Sequence, residues 1–528
     1  MSHVPPRIST LLMASVAVLA FGAGSAEAQQ FSCPKKGGEF VFAEEAKVNS
    51  LDQYTSSTVS TRNITLNMYE SLMTRDERFS PMPELAQSVD ASDDGLTYVF
   101  KLRPGIKFHN GKPMSSADVV ASFQRYFKVG IDRGYLEAIA NLEAPDPLTF
   151  IVKMKAPQPT FLENLSSFLV PVAITPAENT SAAPMQMAPI GTGPFQYVEF
   201  IADSHVKLKR FDGYTPDTRY KDIDGFGGYK VACVDTVVFR IVTEPGARVA
   251  GLETGELHGV EDVPTKSVER LKQNKSIVLK PLNNFWIPVA EVNASLPPTN
   301  NLKFRQAVQA ALDMDEIMEA ASDGSYTLQF GMQYPFQAAY SEAGKETYNQ
   351  KNPAKAKQLL AEAGYKGEEM ILLTNRDYTV MYNASLVMME QLKAVGINAK
   401  LLVLDWPAAT QMWLKTDTGW NWFFDGYANG PYIGPVATVR NFANPQYAYK
   451  PKTPADVDKV FDAAFDEMVN GKTFEIRKAA FAKAQARMLE QVYVLPFGTM
   501  PKVQAVRSNV ENFRPFRIPR ISNVYFSG

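Results

Sequence analysis

The sequence predicts an α/β protein with two or three domains. Its 528 residues are 45% hydrophobic and 21% charged, which is ordinary globular composition and enough for that many hydrophobic cores. Residues 371–374 and 398–404 have the pattern of strands, and residues 384–395 have that of a helix ended by Gly396. Strand, helix and strand in this order imply a crossover connection between two parallel strands.

The N-terminus predicts a cleavable signal peptide over residues 1–28. Arg7 precedes an apolar run at residues 8–23, and the Ala-Glu-Ala of residues 26–28 fits an A-x-A cleavage site before Gln29. The run is short for a membrane span, and no second run follows it. We therefore expect the mature protein to begin at Gln29 and to be exported and soluble.

The charge of the chain bears on its partners, and its cysteine content bears on disulfide formation. The formal net charge is −2 without a large block of like charge, so nothing indicates nucleic acid or an anionic membrane as a partner. The two cysteines, Cys33 and Cys233, would meet an oxidising compartment after export. A disulfide between them is favoured over two separate thiols.

The first half of the chain predicts alternating strands and helices. Strands are expected at residues 37–42, 96–102, 149–154, 205–211 and 234–242. Helices are expected from the turn at residues 50–52 through Tyr69, from Ser115 or Ser116 with Asp118 in the first turn, and over residues 246–254 ending at Gly255.

The second half predicts three further helical regions and a late strand. Helices are expected at residues 303–320, from Pro353 to Gly364 with Asn352 as the cap, and within residues 455–491. A strand is expected at residues 493–497, before a tail of basic and aromatic residues.

Residues 420–435, WNWFFDGYANGPYIGP, form the most unusual stretch of the chain. Six of these sixteen residues are aromatic, and three glycines and two prolines prevent a long helix or strand. After a short strand at residues 421–424 we expect a loop. Aromatic rings on an irregular backbone suit the wall of a small-molecule pocket, but a strand end packed into the core explains them equally well.

Other candidate binding residues lie in the same part of the chain. All five tryptophans fall between Trp286 and Trp422, which indicates one domain with the richer half of a site. Arg376 follows a predicted strand, where loop residues face the crevice of a parallel sheet, and a guanidinium there could bind a carboxylate through two hydrogen bonds. A surface arginine paired with Asp377 or with solvent is the alternative.

Asp405 and Trp406 follow the next predicted strand, so we expect them to face the same crevice as Arg376. Trp413 is also a candidate, although the apolar side of a helix that begins after Pro407 would explain it as well.

Enzyme signatures are poor. The histidines His109, His205 and His258 have no metal-ligand spacing, and G-x-S-x-G does not occur. Residues 471–473, GKT, resemble the end of a P-loop, but the preceding glycine is missing and the segment is predicted helical. We expect no catalysis, no cofactor and no metal; a secreted hydrolase with a dispersed triad is the alternative from another class.

Five segments, in order, resemble the family 5 solute-binding proteins of bacterial ABC transporters, the receptors for peptides, nickel and related solutes. They are LRPGIKFHNGKPMSSADVVASF at residues 102–123, PIGTGPFQYVEF at 189–200, ARVAGLETGELHGV at 247–260, FRQAVQAALDMDEI at 304–317 and NPAKAKQLLAEAGY at 352–365. Together they cover nearly all of the mature chain.

The resemblance implies a two-lobed periplasmic-binding-protein fold of type II that closes on its ligand about two crossovers. Lobe I would comprise residues 29–282 and 490–528, with an extra subdomain at about residues 74–195, and lobe II residues 283–489. The implied partners are a small-molecule ligand and the permease and ATPase subunits of an inner-membrane importer. A monomer in the periplasm is expected.

The resemblance also implies where the solute binds. In peptide-binding members a Trp and a following Asp grip the amino group of the ligand, and here Tyr427 and Gly430 stand at those positions. Arg376 falls near an arginine that binds the ligand carboxylate in dipeptide-binding members, and Trp406 matches a pocket tryptophan of oligopeptide binders. We therefore predict a partly apolar or aromatic solute that has a carboxylate but no free α-ammonium group.

A di- or oligopeptide receptor of the same family is the alternative, and metal held by a small chelator is a further family option. The predicted ligand-binding residues are Glu45, Trp286, Arg376, Asp405, Trp406, Trp413, Trp420, Tyr427, Ala428, Asn429 and Gly430.

Overall fold

The structure, a computed structural model, describes residues 29–56, 58–168, 172–427, 434–443, 449 and 458–528. The predicted signal peptide and the candidate residues Ala428, Asn429 and Gly430 lie outside these ranges.

The N-terminal part of the chain, to residue 292, is rich in strands. Its strands are β1 (Glu39–Glu44), β2 (Met73–Arg75), β3 (Pro81–Pro83), β4 (Ala86–Ala91), β5 (Thr97–Leu102), β6 (Ile139–Asp146), β7 (Thr149–Met154), β8 (Phe195–Ile201), β9 (His205–Arg210), β10 (Ile223–Asp224), β11 (Gly227–Gly228), β12 (Thr236–Ile241), β13 (Gly259–Val260) and β14 (Ile277–Val292). Its helices are α1 (Val59–Thr65), α2 (Ser116–Val129), α3 (Phe161–Leu165), α4 (Pro245–Thr254) and α5 (Thr265–Lys272).

The remainder of the chain is mainly helical until its last strands. Its helices are α6 (Leu302–Ala311), α7 (Met314–Ser322), α8 (Pro353–Glu362), α9 (Thr379–Ala394), α10 (Trp406–Trp413), α11 (Pro435–Ala443), α12 (Lys459–Asn470) and α13 (Phe474–Glu490). Its strands are β15 (Met370–Asn375), β16 (Ala399–Leu404), β17 (Trp422–Tyr427), β18 (Val494–Pro496), β19 (Met500–Arg507), β20 (Val510–Glu511) and β21 (Tyr525–Phe526).

A large mixed sheet runs through the molecule. Among the described strands its order is β16-β15-β17-β14-β19-β13-β1-β12-β9-β8, with β18 paired to β14. Strands β15 and β16 are parallel, with Leu372 opposite Leu401, and α9 connects them. The predicted crossover and the α/β class are therefore confirmed.

Two large hydrophobic cores lie along this sheet. One is formed by residues between 285 and 497 together with Ala46, and the other by residues 40–239 and 506–524. We call the body around the second core lobe I and the body around the first core lobe II. The boundaries at residues 282 and 490 and the extra subdomain remain predictions; the separate sheet β4-β5-β7-β6 lies within residues 74–195.

Local signals placed several helix ends correctly. Ser115 caps α2 and forms a capping box with Asp118, as that sequence pattern favours. Asn352 accepts a hydrogen bond from the main chain of Lys355 at the start of α8. Gly255 adopts the left-handed conformation, with φ of 86°, after α4.

Two helix predictions were wrong in length, whereas the helical region expected within residues 455–491 is confirmed over its described residues, 458–491. The helix expected at residues 303–320 is two helices, α6 and α7, because Leu312 is extended and Asp313 caps a new helix. The region at residues 455–491 contains α12 and α13, separated at Gly471. The helical stretch expected through Tyr69 ends at Thr65.

The two cysteines form a disulfide between Cys33 and Cys233, with their Cα atoms 5.5 Å apart. The bond ties the segment before β1 to the segment before β12, two neighbouring strands of the large sheet. Within the described ranges, none of the helices has the length and apolarity needed to cross a bilayer.

Candidate functional site

The two lobes are joined by strands that cross from one to the other. Strand β14 pairs with β19 along residues 277–282, in lobe I, and with β17 along residues 287–292, in lobe II. Its register against β19 shifts between Leu282 and Trp286. This irregular stretch, which contains Phe285 and Trp286, is where the chain passes between the lobes.

A cleft opens beside this crossover. It encloses about 740 Å³, counting the part that is open to solvent. Its walls come from both lobes. Lobe I contributes Glu45, Arg248, Asp262 to Lys266, Pro501 and Lys502. Lobe II contributes Trp286, Ala321 to Asp323, Tyr378 to Val380, Asn383 and Met500. A solute in this cleft would contact both lobes.

Lys502 is the charged centre of the lobe I wall. Its ammonium group donates to Glu261 at 2.7 Å and to Glu45, and Arg248 lies 3.8 Å from Glu45. The Lys502 nitrogen is also 5.6 Å from the centre of the Trp286 ring. The lysine therefore connects the lobe I carboxylates to the aromatic crossover.

Although burial opposes the shift, Lys502 lowers the pKa of Glu261. For Glu44 and Glu45, in contrast, burial favours the neutral form. It raises the pKa of Glu45 to about 7, although the positive charge of Lys502 opposes the shift. Burial and the nearby Glu261 raise the pKa of Glu44 well above its ordinary value. Glu44 accepts a hydrogen bond from Asn63 at 2.7 Å through Oε2, while Oε1 has no partner among the described residues.

Trp286 forms the aromatic face of the cleft. Its ring lies 5.2 Å from that of Tyr378, and its indole nitrogen has no hydrogen-bond partner within the described part of the chain. The ring packs directly on the backbone of Gly426, where a Cβ atom would lie 2.4 Å from a ring carbon. Only glycine fits at this position without displacing the indole.

The other predicted tryptophans lie deeper in lobe II. Trp406 makes an edge contact with Tyr378 and stacks on Phe423, and Trp413 stacks on the same phenylalanine. Trp420 also packs against Phe423.

Burial favours the core alternative for two of the tryptophans, whose role in ligand binding stays a prediction. Trp413 and Trp420 are buried in the lobe II core, because the helix face of α10 and the start of β17 point inward. The core interpretation therefore holds for the first half of the aromatic stretch. Trp406 is nearer to the cleft, since its indole contacts Tyr378 and its nitrogen has no partner among the described residues.

Arg376 is exposed, and its guanidinium lies over the ring of Tyr382, 5.1 Å from the ring centre. It also donates to the hydroxyl of Tyr382 at 3.4 Å. This geometry is that of a surface arginine, although the partner is Tyr382 and not Asp377. The role of Arg376 as an anion anchor remains a prediction.

Asp405 contributes to the contact between the lobes. Its Oδ1 accepts from the main chain of Ala408 and caps α10, while its Oδ2 lies 3.3 Å from the ammonium group of Lys47 in lobe I. The backbone of Lys47 also donates to Asp377 of lobe II at 3.1 Å. Asp405 thus takes part in a contact between the lobes.

Tyr427 turns its hydroxyl into lobe II. The hydroxyl donates to Glu291, which also accepts from Tyr449 at 2.6 Å. Burial and the nearby Asp425 raise the pKa of Glu291 to about 8. Tyr427 is therefore held at the end of β17, at the entrance to residues 428–433.

The family model of the bacterial extracellular solute-binding proteins, family 5, matches residues 80–450. This match spans well over half of the chain. The chain belongs to this family.

Relatives and solved structures agree with the family. A probable peptide ABC transporter periplasmic-binding protein of Sinorhizobium fredii is 26% identical over 87% of this chain and 88% of its own length. The glutathione-binding protein GsiB of Escherichia coli is 29% identical over 72% of each chain. The solved structure of AgaA from A. tumefaciens with agropinic acid has a TM-score of 0.78 at 22% identity, covering 93% of this chain and 99% of that one.

As a family 5 solute-binding protein, the chain is the solute-capturing component of an ABC importer, and its two-lobed fold is shared with these structures. The residues at the centre of its cleft were mostly missed by sequence reasoning. Lys502 and Tyr378 carry no motif, and they meet Glu45 and Trp286 only through the pairing of distant strands. The one local signal for Lys502 is its place in the tail rich in basic and aromatic residues.

Proposed function

We propose that the protein is exported to the periplasm, acts as a monomer and captures a small organic acid between its lobes. The solute would have a carboxylate and an apolar or aromatic body and would not be a peptide. The protein would then present it to an inner-membrane permease that is driven by its own ATPase. No catalytic step is part of this role.

The observation that carries the proposal is the cleft at the crossover. Lobe I supplies Lys502 and Glu45 to its walls, and lobe II supplies Trp286 and Tyr378. A solute held by both walls binds the closed arrangement more tightly than the open one, so it shifts the population toward closure. A permease can distinguish this closed, solute-bound form from the open, empty form.

Two features support an acid with an aromatic or apolar body. Trp286 and Tyr378 present ring surface to the cleft. Glu45 lines the cleft and burial raises its pKa to about 7, so it offers less negative charge to an ammonium group than an ordinary carboxylate does. Gly430 likewise supplies no carboxylate at the position where peptide-binding relatives have one.

A peptide is the second candidate, and Asp425 favours it. This aspartate lies on β17, two residues before Tyr427, and burial raises its pKa to about 6. A peptide ammonium group placed beside it would restore its negative charge and form an ion pair. The Sinorhizobium fredii relative is named as a probable peptide-binding protein.

The test begins with native mass spectrometry of the mature protein from its own periplasm, before and after unfolding and refolding. Thermal-shift screening then compares carboxylic acids without amino groups with dipeptides. A co-purifying acid that also reduces the radius of gyration in small-angle scattering supports the proposal. Micromolar binding of ordinary dipeptides by titration calorimetry would establish the peptide receptor instead, and turnover of an ester library would contradict the whole assignment.

A further inference from the structure

Arg517 lies in the C-terminal segment between β20 and β21, where the lobes meet. The residue is only 5% exposed. Its Nη1 donates to the carbonyl oxygen of Phe285 at 2.6 Å, and its guanidinium carbon lies 3.9 Å from the centre of the Phe285 ring. Lys502 of the cleft lies over the same ring at 5.1 Å. The two cations therefore share the phenylalanine that precedes Trp286 in the crossover strand.

Arg517 lacks the compensation that other buried arginines of the molecule have. No carboxylate lies within ion-pair distance of it among the described residues, and its Nη2 has no hydrogen-bond partner there. Arg520, in the same segment, pairs with Glu77 at 2.5 Å. Arg305, which also lacks a carboxylate, donates to three main-chain carbonyl oxygens. An uncompensated buried charge is strongly unfavourable, so the placement of Arg517 calls for a partner that supplies negative charge.

A second guanidinium, that of Arg62 on α1, lies within electrostatic reach. Burial lowers the pKa of Arg517 to about 9; the nearby Tyr334 opposes this shift and the positive charge of Arg62 adds to it. Tyr334 belongs to lobe II, and Arg62 to lobe I. The positive field at Arg517 therefore comes from Arg62 of lobe I, and an anion placed there would be stabilised by both guanidinium groups.

We propose that Arg517 is the anion anchor of the solute site, where its free guanidinium edge binds a carboxylate of the solute. This inference rests on the proposed function and names the residue that sets the solute class. A guanidinium edge recognises a carboxylate through parallel hydrogen bonds that a carboxamide of the same shape cannot reproduce. The buried Arg517 thus replaces the exposed Arg376 as the determinant of acid selectivity.

The first measurement needs no solute. Arg517→Met and Arg520→Met are compared with the wild type by thermal unfolding of refolded, ligand-free protein. Removing an uncompensated charge leaves the midpoint of Arg517→Met equal to or above that of the wild type. Arg520→Met loses an ion pair and unfolds at a lower temperature. A drop in Arg517→Met as large as that in Arg520→Met would show a purely structural arginine and overturn the proposal.

The second measurement uses matched acid and amide probes: 3-phenylpropionate with 3-phenylpropionamide, and N-acetylphenylalanine with its amide. The wild type and Arg376→Ala bind at least one acid about 10-fold or more tightly than its amide, because a carboxylate forms charge-assisted hydrogen bonds that a carboxamide cannot. In Arg517→Met this ratio falls to about 1. A ratio that survives in Arg517→Met but is lost in Arg376→Ala, or a wild type that prefers no acid, would overturn the proposal.

The failure of this proposal differs from the failure of the proposed function. If the lobes close in scattering on an uncharged solute and Arg517→Met binds it equally well, the receptor role stands and the anchor is refuted. If no solute from the periplasm closes the wild type, the receptor role itself fails, whatever the stability of Arg517→Met.

Discussion

Glu291 shows how a single buried carboxyl group holds the end of β17 in lobe II. It is fully buried between β17 and the hydroxyl groups of Tyr427 and Tyr449. Burial, with a further contribution from Asp425, raises its pKa to about 8. The group therefore holds a proton in the folded protein at pH values where the unfolded chain has already lost it.

This shift predicts the pH dependence of stability. Because the folded-state pKa is raised, the stability that Glu291 contributes is fully present below about pH 4.3 and is lost as the pH rises through about 8. Its share of the slope is at most about 1.4 kcal/mol per pH unit in that window. Glu291→Gln cannot ionise, so the decline of the unfolding free energy between pH 5 and pH 8 should become shallower by roughly this amount.

Urea unfolding at pH 5, 6, 7 and 8 measures this effect. Glu490→Gln, at the exposed end of α13, is the control and should leave the slope unchanged. Identical slopes in Glu291→Gln and the wild type would show that Glu291 is ionised in the folded protein.

For single residues, the sequence indicated which aromatic side chains are unusual but not whether each one lies in the cleft or in the core. Trp286 was assigned to the cleft and lines it, whereas Trp420 was assigned to a pocket wall and lies in the core. Aromatic content is the same in both cases. Packing in the folded chain, on Tyr378 for Trp286 and on Phe423 for Trp420, decides where each ring lies. Arg517 is more than two hundred residues from Phe285, so no local pattern could pair them.

Among the elements, the break between α6 and α7 is the clearest departure from the sequence pattern. Asp313 is extended, with φ of −101° and ψ of 106°, and its side chain accepts from the main chain of Asp315 at 2.9 Å and of Glu316 at 3.3 Å. The apolar periodicity continues through this point, which is why one helix was predicted. A cap inside a continuous apolar stripe is a signal that periodicity alone does not reveal.

We expect Asp313→Ala to destabilise the protein by about 1 kcal/mol, within the range of roughly 0.5–2 kcal/mol for lost helix caps. Two main-chain donors at the start of α7 would lose their acceptor. Chemical denaturation monitors the change, with Asp315→Ala as the control. Asp315 pairs with Lys351, as Asp313 does, and accepts from two side chains, but it caps no main-chain donor of α7. An equal loss in both variants would mean that the ion pair, and not the cap, stabilises α7.

Where a short sequence signal marks the end of a helix or strand, the predicted bounds agree with the structure within about one residue. Strand β7 has the expected bounds, and α4 ends before Gly255, because alternation and a left-handed glycine act over a few neighbouring residues. Helix α9 begins five residues before the expected start, since its first turn packs beside Tyr378 and the cleft. Tertiary packing, which the local pattern lacks, extends it.

At the scale of the whole molecule, the lobes touch at places remote from the crossover. Arg440 of α11, in lobe II, lies 3.7 Å from the ring centre of Tyr135 in lobe I and 5.5 Å from that of Phe465 in its own lobe. A cavity of about 1220 Å³ borders this contact, with walls from residues 131–137 and from α11 and α12. The lobe division followed from the family resemblance, but this contact joins segments about 300 residues apart and had no sequence signal.

The contact predicts how strongly the closed arrangement is favoured. Arg440 lies between two rings from different lobes, so opening would separate its guanidinium from Tyr135 and lose a cation–π interaction of about 1 kcal/mol. Arg440→Met keeps the stem of the side chain and removes the charge, and it should shift the equilibrium about 5-fold toward the open state.

Small-angle scattering of the refolded protein, and of the protein with its co-purified solute, would then give a larger radius of gyration for Arg440→Met than for the wild type. Arg477→Met is the matched control, because Arg477 donates to Gly471 within lobe II and touches no residue of lobe I among those described. A radius unchanged in Arg440→Met, or increased equally in Arg477→Met, would show that the lobes are held by the crossover and the solute alone. An increase confined to Arg440→Met would assign part of the closing free energy to a contact outside the solute cleft.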